Sequence, residues 1–211
     1  MQPLTCAISY HDMLQHWQTL SQRMPTLFFD GHGEQHDWGR YSYICASPCE
    51  TLRHDCPHHA RLALQALEAK LDRQRLSLDP NLPPFQGGAA GLISYAYGRG
   101  LMGLPAEKSP LFPCMHLHLY DTVLSYDHLK KQAWIVATGL PESMPSERQQ
   151  QANLRLQTFK KWLAHPKKPS THTPYFAWHK LQSTTSAKAY KQAVRCIQNH
   201  ILSGDIFQAN L

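Results

Sequence analysis

The sequence reads as an α+β protein, with mostly antiparallel sheets packed against helices. Three observations lead there. Two alternating apolar stretches, 115–126 and 132–137, flank a polar turn at Asp127 to Lys131, the pattern of a β-hairpin. The helical segments are spaced irregularly instead of following each strand, which argues against a regular βαβ repeat. The chain has 211 residues, 42% apolar and 17% charged. That is long and apolar enough to bury a core and too apolar for disorder.

From the N-terminus, Leu4 to Tyr10 is expected as a strand and Asp12 to Arg23 as a helix, with Asp12 near its N-cap. Thr26 to Phe29 is a short apolar strand ending at the turn Asp30-Gly31-His32-Gly33. Arg40 to Ala46 alternates polar and apolar residues, like a strand with one buried face. Residues 60–73 set Leu64, Leu67 and Leu71 at helical spacing, whereas Asp79 to Pro84 is a cluster of breakers and so a loop. Gly87 to Tyr95 is a strand of small residues, whose glycines permit a bulge or close approach by another backbone. It lacks the lysine and threonine of a phosphate-cradling loop. Glu147 to Leu163 is a polar helix, and the proline- and lysine-rich stretch 165–174 reads as a linker. The last helix, Thr185 to Leu202, carries Tyr190, Val194, Ile197 and Ile201 on one face. Gly204 suits its left-handed C-terminal stop, and Asp205 to Leu211 then starts a strand. The chain ends inside that strand, so it is expected to be part of a longer protein. The expected organisation is a domain over 1–165, a linker over 166–183, and the start of a second domain over 184–211.

Composition excludes several function classes. No apolar run approaches the roughly 20 residues of a membrane span. The first ten residues lack a basic region followed by an apolar core, so no secretory leader is expected. A cytoplasmic chain with free thiols follows, because the six cysteines lack the dense spacing of a disulfide scaffold. Cys45, Cys49 and Cys56 with His58 or His59 could suggest zinc, but the spacing lacks the usual short knuckle, and Cys45 reads as an inward strand residue. His116 and His118 alternate with apolar residues and read as the polar face of a strand. No metal site is therefore expected. Charge is uneven: residues 1–147 carry 11 basic and 14 acidic side chains, and residues 148–211 carry 10 basic and one acidic. Such a basic tract fits nucleic acid, an anionic substrate or an acidic partner surface. Since no base-reading motif accompanies it, nucleic acid is the disfavoured reading.

Three segments share a resemblance. Pro84-Phe85-Gln86-Gly87-Gly88-Ala89-Ala90-Gly91 with Tyr95 and Arg99 resembles a motif of the chorismate-utilising synthases. Tyr190 to Leu211, with Ser203-Gly204-Asp205-Ile206-Phe207-Gln208-Ala209-Asn210-Leu211, is similar to the opening of their chorismate-binding domain. Leu27-Phe28-Phe29-Asp30-Gly31 and Gly39-Arg40-Tyr41-Ser42 resemble the effector-pocket region of their N-terminal domain. The family comprises component I of anthranilate synthase and of aminodeoxychorismate synthase. Asn210 resembles the second branch, which makes 4-amino-4-deoxychorismate for folate; anthranilate synthase is the alternative.

The resemblance implies an N-terminal-domain-like fold and a partner glutamine amidotransferase that supplies ammonia. The family's magnesium-binding glutamates and its Pro-Ile-Lys-Gly-Thr motif lie downstream of the matched segments. No catalytic residue, bound magnesium or turnover is therefore expected for this chain alone, and chorismate binding is expected only with the remaining half. The resemblance also implies a tryptophan pocket at Asp30, Trp38, Gly39, Arg40 and Tyr41. Asp30 stands where the family usually has serine, and Trp38 has the size to fill the indole space itself. Phe85, Gly87, Gly88, Gly91, Tyr95, Arg99, Gly204, Asp205, Phe207, Gln208 and Asn210 are expected as structural motif residues. A non-catalytic regulatory or docking module is the remaining alternative.

Overall fold

The computed structural model describes residues 2–31, 33, 39–75, 77–106, 112–166 and 182–211. The chain divides into two compact units, residues 1–169 and 170–211. In the first, the elements run β1 (Leu4–Ile8), α1 (Met13–Ser21), β2 (Thr26–Phe29), β3 (Tyr41–Ala46), β4 (Glu50–His54) and α2 (Ala60–Arg73). They continue with β5 (Gly88–Ile93), α3 (Tyr95–Leu101), β6 (Met115–Tyr120), β7 (Thr122–Asp127), β8 (Gln132–Ala137) and α4 (Pro145–Ala164). One sheet has the order β1-β8-β7-β3-β2 and the other β4-β6-β5. All pairings are antiparallel, and the α+β reading holds.

Strand alternation sets the layers. Ile44, Leu124, Tyr126 and Ile135 point from the larger sheet onto Leu20 of α1 and Ala152, Leu156 and Phe159 of α4. The residues between them, Cys45 and Val123, point the other way and meet Ala90 and Tyr120 of the smaller sheet. The far face of that sheet buries Leu117 and Leu119 against Ala60, Ala63 and Leu67 of α2 and Tyr97 of α3. Because both faces of β7 are covered, all six of its residues are buried.

Three expectations need correction. The stretch 115–126 is two strands, one in each sheet. Asp121 is the point of exchange: its carbonyl accepts from Thr138 N (2.8 Å) and Oγ1 (3.0 Å), and its buried carboxylate is held by Arg155 of α4 at 2.9 Å. Second, the stretch expected to end at Tyr95 leaves the sheet after Ile93, and Tyr95 opens α3. Two glycines, weak helix formers, hide that helix in the sequence. Third, 205–211 forms no strand: none of the described residues pairs with it, and Phe207 is fully exposed. A strand also runs where none was expected, at β4, whose single apolar residue Leu52 gives no alternation to read.

The second unit contains α5 (Ala187–Leu202). Ser186 Oγ accepts from Ala189 N at 3.2 Å and caps its start. At its end, Asp205 N donates to His200 O and Gly204 N to Ile201 O, with Gly204 at φ +80°. That is the paired closure expected of a C-terminal glycine. The linker expected at 166–183 lies almost wholly outside the described residues.

Candidate functional site

The end of β2, the start of β3 and the edge strand β5 line an open cavity of about 640 Å³, within the range of small-molecule sites. Phe29, Asp30 and Gly31 form one side, Tyr41 and Tyr43 a second, and Phe85 with Ala89 to Gly91 a third; Ile93 and Leu117 complete it. Two glycines make this geometry accessible. A Cβ on Gly31 would lie 2.3 Å from Tyr41 O, so the β2 exit could not approach β3 with any other residue. A Cβ on Gly91, at φ +154°, would lie 2.2 Å from His116 O and part β5 from β6.

The walls are aromatic and locked together. Tyr43 and Phe85 meet edge to face at 5.6 Å, and Phe85 N donates to Tyr43 Oη. Burial pushes the Tyr43 phenol up to about 12, so it is a neutral hydroxyl at physiological pH. The loop that delivers Phe85 is stapled by buried Gln86. Its Oε1 accepts from Asp79 N (2.9 Å), while Nε2 donates to Asp79 O (2.7 Å) and Pro83 O (3.2 Å).

A chain of polar groups runs behind Asp30. Ser42 Oγ donates to Asp30 Oδ1 at 3.1 Å and accepts from Gly31 N at 2.8 Å. It also lies 2.6 Å from His128 Nε2, whose Nδ1 is 2.7 Å from Tyr10 Oη. A carboxylate only accepts, so the Ser42 proton goes to Asp30. Nε2 therefore donates to Ser42.

Of the residues expected at an effector pocket, Asp30 and Tyr41 line the cavity, and Gly39 O accepts from Gly33 N. Arg40 instead forms a two-pronged pair with Asp127, Nε to Oδ1 at 3.1 Å and Nη2 to Oδ2 at 2.7 Å. Trp38 lies outside the described residues. Of the glycine-rich motif, Phe85 and Gly91 line the cavity; Gly87 and Gly88 carry the positive φ values that lead the chain into β5. Tyr95 and Arg99 sit away from it on α3, where Tyr95 is exposed and Arg99 donates to Pro105 O at 2.7 Å. Gly204, Asp205, Phe207, Gln208 and Asn210 belong to the second unit and are exposed. Ser42 and Gln86 lie within the segments that carry the resemblance, though nothing in the sequence marks their roles, and His128, Tyr10 and Tyr43 carried no signal that sequence reasoning could single out. Each is an ordinary polar or aromatic position until the fold brings it to this place.

Among the described residues, no three of histidine, cysteine, aspartate and glutamate converge as a metal site would require. The magnesium implied by the family resemblance has no ligand set among them. Cys45 is buried against Ala90, Tyr120 and Val123, and burial raises its thiol to about 12.

Fold and cavity together define a two-sheet α+β domain with an aromatic-lined cavity. The chain belongs to the family described as chorismate binding enzymes, whose model matches residues 24–211. It is similar to aminodeoxychorismate synthase component 1 of Salmonella typhimurium, 32% identical over 171 residues, covering 80% of this chain and 33% of that protein. The protein of that name in Escherichia coli is 30% identical over 177 residues, 82% of this chain and 34% of the relative. Anthranilate synthase component 1 of Pseudomonas putida is 26% identical over 191 residues, 81% of this chain and 38% of the relative. The chain thus spans about a third of the length of the curated relatives it matches.

Proposed function

We propose that the chain is the N-terminal part of component I of an aminodeoxychorismate synthase and carries that enzyme's aromatic effector cavity. The observation that carries this reading is convergence. The segment around Asp30 and Tyr41 and the segment around Phe85 and Gly91, which independently resemble the family, line one cavity although about fifty residues separate them. Asn210 supports the aminodeoxychorismate branch over the anthranilate branch. In this reading the whole enzyme takes chorismate, and ammonia from a glutamine amidotransferase subunit, and releases 4-amino-4-deoxychorismate. Magnesium would be held by residues outside this chain, where it would supply polarisation of the leaving hydroxyl. This chain's own share is to build and orient the cavity.

The test is to express the full reading frame that contains the chain and assay it with chorismate, ammonia and magnesium. Formation of 4-amino-4-deoxychorismate supports the proposal. Anthranilate as product assigns the other branch, and unconsumed chorismate overturns the reading altogether. Assayed by itself, the 211-residue chain leaves chorismate unconsumed.

A further inference from the structure

The central strand of the smaller sheet carries a pair of side chains that the aromatic cavity does not use. Along β6, Leu117 and Leu119 are buried against α2, so His116 and His118 stand together on the opposite face. Their ring centres are 4.6 Å apart and their planes are inclined by 53°. On β4, Thr51 is the cross-strand partner of His118 and Arg53 that of His116. Thr51 Oγ1 lies 2.8 Å from His118 Nδ1, and Arg53 is paired with Asp55 at 3.2 Å. Thr51 and Arg53 are exposed and the two imidazoles half-buried, so solvent reaches the pair.

This is the spacing of a chelate. Two imidazoles that share an ion at about 2.0–2.1 Å per nitrogen, in neighbouring positions around it, hold their ring centres roughly 4.5–5 Å apart. The Thr51 contact occupies Nδ1 of His118 and leaves Nε2 to ligate. An ion on Nε2 in turn makes Nδ1 the N–H that donates to Thr51. Two protein ligands are fewer than a closed structural or catalytic centre uses, but they suffice for a surface chelate completed by water. Imidazole suits first-row transition ions, whereas magnesium and calcium take oxygen ligands.

We infer that His116 and His118 form a surface site for a divalent first-row transition-metal ion such as nickel or zinc, with Thr51 as the positioning residue that orients His118. The inference does not rest on the chorismate reading.

Calorimetric titration of the chain with nickel(II), a redox-inert probe for a chain with exposed cysteines, tests it, with magnesium as the hard-ion control. Nickel is expected to bind saturably and magnesium not at all. Thr51→Val should weaken nickel binding about tenfold, the low end for loss of a group that orients a ligand, and Thr51→Ser should restore it. His116→Asn and His118→Asn should each cost more than Thr51→Val, and the double variant no more than either alone, because one ion is shared. His58→Asn, at an exposed histidine elsewhere, should change nothing. In the unmutated chain, nickel should protect both His116 and His118 from diethyl pyrocarbonate, read by peptide mass, so the test does not depend on any variant's folding. Wild-type nickel affinity in either histidine variant, additive losses in the double variant, magnesium binding as tightly as nickel, or modification of the two rings undiminished by nickel would each overturn the inference.

Discussion

His16 shows how one buried residue sets a pH response. Its Nδ1 lies 2.8 Å from Tyr126 Oη, and burial lowers its pKa below the ordinary 6.5 despite the opposing charge of Asp12. His118 is lowered too, by burial and by neighbouring His116. As pH falls below 6.5, the unfolded chain takes up protons at these positions that the folded chain resists. Unfolding then binds protons, and stability declines with acidification. Thermal melts at about pH 7.5 and about pH 6 should show a lower midpoint at the acid end, and His16→Gln should reduce the difference. A wild-type midpoint that does not fall would contradict this account. At the same scale, the candidate site was only partly legible in the sequence. Asp30, Gly31, Tyr41, Phe85 and Gly91 stood out because they sit in motifs. Ser42 shares a motif with Tyr41, but its partner His128 did not stand out, because a hydrogen-bond relay between residues 86 apart leaves no local pattern.

At the scale of elements, Asp121 and Arg155 hold the two sheets in their arrangement. The chain passes from β6 to β7, and thus from one sheet to the other, at a carboxylate that is 1% exposed. Burial raises its pKa against the pull of Arg155, and its Oδ2 has no hydrogen-bond partner among the described residues. Arg155 also donates to Ser47 O at 2.6 Å, tying α4 to the turn after β3. Arg155→Met should cost about 3–5 kcal/mol in urea denaturation, because it leaves Asp121 buried and unpaired. Adding Asp121→Asn should return part of that loss, and strict additivity of the two changes would argue against coupling. Gly91→Ala should cost at least about 1–3 kcal/mol from backbone strain and should also abolish indole binding, since β5 is both a strand and a cavity wall. Unchanged stability and binding would refute the close approach of β5 to β6. Helix ends and hairpin turns were readable because capping residues and periodicity are local. The split of 115–126 was not: Asp121 interrupts the apolar phase of Met115, Leu117 and Leu119, but the partner that holds it, Arg155, lies 34 residues downstream. β4 is likewise defined by its pairing with β6 and not by its own composition.

At the scale of the whole molecule, local and tertiary signals part company in the second unit. α5 has a formed cap at each end, yet no residue of it is buried; Tyr190 is 53% exposed and Phe207 beyond it 100%. Local chemistry is enough to make the helix, but burial of its apolar face needs a partner surface, which our proposal assigns to the rest of the synthase. For the net positive charge of 148–211 we propose the same kind of partner, an acidic surface of the rest of the enzyme rather than nucleic acid. The chain should accordingly show no salt-sensitive retention of DNA or RNA in a binding assay, and strong retention that falls steeply with salt would point the other way. The measurement that tests the central claim most directly is to read the gene and transcript beyond the codon for Leu211. The proposal predicts a frame that continues through a Pro-Ile-Lys-Gly-Thr motif and downstream glutamates. A stop codon directly after Leu211, with no catalytic half encoded nearby, would contradict it.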